Sequence, residues 1–108
     1  MGIVSQIKKM ISEINSDQDD LRVIANDYLK ILKFLLNDKD AAPEILSFNF
    51  NNPLFLNTNY GDINLRDISE DEITYSICRK EIQDLFCDIS YSEKDVINFV
   101  NKHIKKNW

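Results

Sequence analysis

Residues 21–36, LRVIANDYLKILKFLL, limit what this 108-residue chain can fold into more than any other stretch. At about 100° per residue, Leu21, Ile24, Ala25, Tyr28, Leu29, Ile31, Leu32, Leu35 and Leu36 fill one continuous arc of a helix. Val23 and Phe34 fall outside that arc, and only Arg22, Asn26, Lys30, Lys33 and Asn37 make an unbroken polar strip. A surface helix needs one apolar stripe, whereas this one is apolar on most of its circumference. It reads as a central helix that other elements pack around.

The flanking sequence predicts three more helices. Ile3, Val4, Ile7, Met10, Ile11 and Ile14 give a helix over about 3–14, separated from the central one at Ser16-Asp17-Gln18-Asp19 by capping residues. Ser69 with Glu72 has the spacing of a capping box, and Ile68 with Ile73 that of a hydrophobic staple, opening a helix that runs to about Cys87 or Ile89. Ser92 opens the last, with Val96, Ile97, Val100, Ile104 and Trp108 on its inner face. Pro43 is suited to the first position of one short extra turn through Leu46. Between Ser47 and Asp67, SFNFNN and DINLRDI alternate, so each fits a short strand, with turns at Asn52-Pro53 and Tyr60-Gly61-Asp62. The expected fold is therefore mainly α, with α+β as the variant. It is one four-helix domain over residues 1–108, with a short β-hairpin or irregular insertion before the third helix.

The formal net charge is −5 and unevenly placed. Residues 57–91 hold eight carboxylates against three basic residues, whereas residues 92–108 hold four lysines against two acids. Phosphate backbones repel an acidic domain, so nucleic acid is a poor partner and a basic protein surface a good one. No apolar run reaches the ~18 residues of a spanning helix, and MGIVSQIKKM lacks a secretory layout, so no membrane partner is expected and the location reads as cytoplasmic. On one helix Cys78 and Cys87 would lie roughly 13.5 Å apart along the axis, beyond disulfide reach, which fits a reducing compartment.

No motif identifies a family, and no residue pattern points to catalysis. His103 is the sole histidine. A Cys–His nucleophile would need Cys78 or Cys87 beside it, yet Cys78 shares the apolar face of Tyr75, Ile82, Leu85, Phe86 and Ile89. Three Cys/His residues are one short of a structural zinc site, and Asp62–Glu72 lacks the acid spacing and central glycine of a calcium loop. No enzyme activity, metal or cofactor is expected. The aromatic set Phe48, Phe50, Phe55 and Tyr60 reads either as a pocket lining or as plugs for the helical core.

The distinctive surface feature is a second stripe on the helix after Ser69. Glu70, Ile73, Ile77, Glu81, Asp84 and Asp88 recur at intervals of three and four and so share one face. Like charges at this spacing mildly oppose helix formation, and folding alone does not ask for them. Either the 47–67 segment covers Ile73 and Ile77, or an apolar pair ringed by acids is left for a basic protein. Bacterial immunity proteins and antitoxins, which neutralise nuclease-type toxins, share the small size, acidic charge and lack of active-site chemistry; the comparison is one of analogy. The leading expectation is a protein-binding module of that kind. A self-associating structural or regulatory subunit, or a helical nucleic-acid-binding domain led by the last helix, are the alternatives.

Overall fold

The computed structural model describes the backbone of residues 2–49, 51–69, 71–87 and 89–108, with their side chains from Asp19 onward. The order is α1 (Gly2–Leu35), β1 (Ile45–Asn49), β2 (Asn52–Thr58), β3 (Gly61–Asn64), a 3₁₀ turn (Leu65–Asp67), α2 (Ile73–Phe86) and α3 (Glu93–Asn107). Three helices and a three-stranded antiparallel sheet make this an α+β fold, not the expected four-helix domain.

Two corrections produce that change. First, the backbone stays helical through Ser16–Asp19, so the two predicted N-terminal helices are one. Ser and Asp offer the backbone local alternatives, but each costs only tenths of a kcal/mol in a helix, and no Gly or Pro enforces a stop. The apolar face from Ile3 to Ile14 lies outside the described side chains. Second, the segment after Pro43 is extended, and Ile45–Asn49 forms a strand in place of the predicted turn of helix. The Asn52-Pro53 pair likewise opens the central strand β2 instead of a turn. Pro53 is tolerated because the β3 pairing begins only at Phe55, so β2 has no β3 neighbour there to need its N–H. Its carbonyl accepts a 2.6 Å hydrogen bond from the buried Tyr28 hydroxyl, tying the strand to α1.

The sheet order is β1-β2-β3. Register runs Phe55 to Asn64 through Thr58 to Gly61 on one side of β2, and Ile45 to Thr58 with two irregular steps on the other. Gly61, at φ +100°, takes the left-handed backbone that closes the β2–β3 turn, and Thr58 Oγ1 donates to its carbonyl. Alternate residues Leu54, Leu56 and Thr58 point inward, and Phe55 and Asn57 outward.

The central helix behaves as its wheel dictates. Leu21, Ile24, Ala25, Tyr28, Leu29, Ile31 and Leu32 are buried, Leu35 and Leu36 partly so, and Val23 and Phe34 exposed. α1 packs against both α2 and α3, while β1 lies on α3 and β2 on α2. Tyr28, Phe48 and Phe86 meet at ring-centroid distances of 5.5–6.3 Å where α1, sheet and α2 converge. Phe48 is thus a core plug, whereas Phe55 and Tyr60 are exposed; Phe50 lies outside the described residues. Ser92 caps α3 by accepting from the Asp95 N–H at 3.2 Å, as its sequence position predicts. Asn101, on α3, docks on β1 with both ends of its amide: Oδ1 accepts from Ile45 N–H at 2.8 Å and Nδ2 donates to Ile45 C=O at 2.9 Å.

Candidate protein-binding face on α2

α2 begins three residues later than the capping pattern suggests, with Glu72 and not Ser69 at the N-cap. Ser69 makes a turn ahead of the helix, its Oγ accepting from Asp71 N–H and its carbonyl from Glu72 N–H. Arg79 then holds the helix start in place. Its guanidinium donates to the carbonyls of Arg66 and Ile68 and to the Ser76 hydroxyl. One of the few cations in this acidic region is therefore committed to structure.

Cys78, Ile82 and Phe86 face the core. On the opposite side Ile73 is 68% and Ile77 60% exposed, the two most exposed large apolar residues among those described. The strands do not cover them, because the sheet meets α2 at its Phe86 end instead. Glu81 and Asp84 are exposed on the same stripe, and neither takes part in an ion pair among the described residues. Glu70 and Asp88, the outer members of the predicted stripe, lie outside the described residues.

Two neighbours of this face were not evident from sequence. Phe34 of α1, off the apolar arc, stacks on Tyr75 with centroids 4.3 Å apart and planes 25° from parallel. The apolar surface thereby continues across the seam between α1 and α2. The second is Asp27, only 4% exposed, on the border of the α1 arc between Ile31 and Phe34. The Cys78 thiol and the Glu81 carboxyl sit beside it, and its Oδ2 has no hydrogen-bond partner. Burial first, then Glu81, pushes the Asp27 carboxyl up to about 7, and the thiol of Cys78 and the charge of Lys30 oppose this only in part. Burial and the adjoining Asp27 likewise push the Cys78 thiol up to about 11.

The cysteines give a direct check on α2. Cys87 is exposed at the helix end, where its thiol donates to the Gln83 carbonyl, and Cys78 is buried. Iodoacetamide at neutral pH is expected to modify Cys87 at least ten-fold faster than Cys78, since reaction needs an accessible thiolate. Equal rates, read by mass spectrometry of the native protein, would contradict the phase of α2.

Among the described residues, His103 and Cys78 lie apart from one another. His103 lines a hollow with Arg22, Val23, Phe99 and Lys106, and Cys78 lies in the α1–α2 seam, so the two are in different surroundings. Among the described residues, no three His, Cys, Asp or Glu side chains are placed to hold a metal ion. A cleft of about 610 Å³ opens beside Trp108, but its rim carries both signs of charge, from Asp40 and Glu44 to Lys102 and Lys105. The amides there are occupied, Asn59 on the Glu44 N–H and Asn101 on Ile45. Among the described residues no helix is long and apolar enough to cross a membrane. The chain matches no protein-family model, no curated protein and no solved structure.

Proposed function

We propose that this chain is a small acidic, non-catalytic module of the cytoplasm that docks the exposed face of α2 on a basic protein partner. The observation that carries the reading is the exposure of Ile73 and Ile77 beside the exposed carboxylates of Glu81 and Asp84, which are in no ion pair among the described residues. Two apolar side chains of that size, left open on an ordered helix, are suited to filling pockets of a partner. The acids around them favour a cationic surface and repel an anionic one. Neutralisation of a toxin with a cationic nuclease surface, in the manner of bacterial immunity proteins and antitoxins, is the specific form of this reading. It supplies a partner whose activity is blocked by coverage alone, with no chemistry asked of the covering protein.

Binding kinetics separate the two components of the face. With a purified basic partner, Glu81→Lys combined with Asp84→Lys should lower the on-rate about ten-fold or more, because steering by opposite charge is lost. The loss should shrink as salt rises and screens the charges. Ile77→Ala should instead raise the off-rate, as an anchor withdrawn from its pocket does. Circular dichroism first establishes that each variant is folded. Unchanged rates in the folded triple variant would show that α2 is not the interface.

A further inference from the structure

The buried carboxyl of Asp27 lies beside Glu81 and Cys78 of α2, and nothing in the packing of α1 accounts for it. Every other described residue on the inward arc of α1 is apolar or, like Tyr28, has its polar atom satisfied. Asp27 has neither excuse, because its Oδ2 is shielded from water and lacks a partner. A buried, unsatisfied carboxylate oxygen opposes folding unless a proton or a cation completes it. The titratable and charged groups that face it are Cys78 and Glu81 from α2 and Lys30 from α1 itself. Glu81 is the only one of these that is both acidic and exposed.

We propose that the exposed Glu81 is the receptor for one cationic side chain of the partner, an arginine or lysine, and that seating this cation expels a proton from the buried Asp27 carboxyl behind it. The inference rests on the docking reading above and adds a specific anchor and a proton to it. Without a partner, a protonated Asp27 can donate to Glu81, which satisfies its orphaned oxygen and leaves one negative charge on the pair. A guanidinium or ammonium brought to the exposed Glu81 stabilises the second charge, and the Asp27 proton passes to solvent. No bond other than O–H is broken. Lys30 does not perform this role itself: its charge is the weakest of the influences on Asp27, and neither carboxylate is in an ion pair with it. Binding is therefore coupled to pH through a group that the partner never touches directly.

The test uses the full chain, with acetylated hexa-arginine amide as the probe. Ile77 methyl resonances report whether the peptide occupies the α2 face, and calorimetry in two buffers of different ionisation enthalpy counts protons. Near pH 6.5, lowering the Asp27 midpoint by one pH unit releases about 0.5 proton per bound peptide. The same coupling tightens wild-type binding about five-fold between pH 6 and pH 8. Asp27→Asn should still bind, but with no proton release from this site and a flat pH dependence. Glu81→Gln should weaken binding and remove the release. Methyl shifts with no release, or equal release from Asp27→Asn, would overturn the inference and leave the docking reading intact. A folded protein whose Ile77 methyls do not respond to the peptide would overturn both.

Discussion

Leu32→Ala should destabilise the protein by about 2–5 kcal/mol, the range for truncating a large apolar side chain in a packed core. Leu32 is fully buried, on the arc of α1 that meets the other helices and the sheet. Neighbouring Ile24, Tyr28 and Ile31 are equally enclosed, so little collapse around the missing atoms is available and the cavity remains. Lys33→Ala, one residue on but on the exposed strip, should change stability by no more than roughly 0.5 kcal/mol. Urea unfolding of both variants with unchanged slope gives the comparison. Similar losses at the two positions would mean that the helical phase is wrong.

Asp27→Asn should have the opposite sign, which is uncommon for a substitution at a buried site. Burial and Glu81 push the folded carboxyl up to about 7, from an ordinary aspartate value of 3.8. Between those values the folded chain holds a proton that the unfolded chain has released, so stability falls as pH rises through this window. Above the folded value the loss is complete, up to about 4 kcal/mol for a displacement of this size. Asparagine carries no charge to bury, and its amide can donate to Glu81 as the protonated acid does. The variant should therefore match the wild type near pH 4 and exceed it by up to about 4 kcal/mol near pH 8. Denaturation midpoints measured across that range decide the matter. Parallel curves for the two proteins would show that Asp27 is not held protonated by the fold.

The inward arc of α1 was legible because burial there follows the helical period, and so was the Ser92 cap, where a side chain three residues from its target has one job. The Ile73–Ile77–Glu81–Asp84 stripe was legible as a pattern; its exposure was not, since that depends on where the sheet lands. Asp27 illustrates a different failure. Its angular position put it on the edge of the arc, yet an acid there reads as solvated, and only the approach of α2 closes it off. Phe34 lies off the arc as its helical position dictates, but its stacking on Tyr75 is a tertiary contact between helices, with no local signature. The error in fold class has a similar origin. Asn-rich β2 lacks the β-branched run that marks a strand, and it becomes one because Leu54 and Leu56 are needed inside and both its edges are paired over most of its length. Residues 16–19 carry good capping side chains, but a cap stops a helix only where the backbone turns away.

The Asn101 amide on Ile45 bears on whether the sheet can be extended at β1. β1 is an edge strand, flanked by the exposed Leu46, and an open edge beside an apolar residue invites another chain to add a strand. Ile45 presents its N–H and C=O outward, in the arrangement an incoming strand would bind. The Asn101 amide, a peptide group carried on a side chain, occupies both at once. It imitates the next strand without being one, and because it offers no further backbone, sheet growth through these two groups ends there.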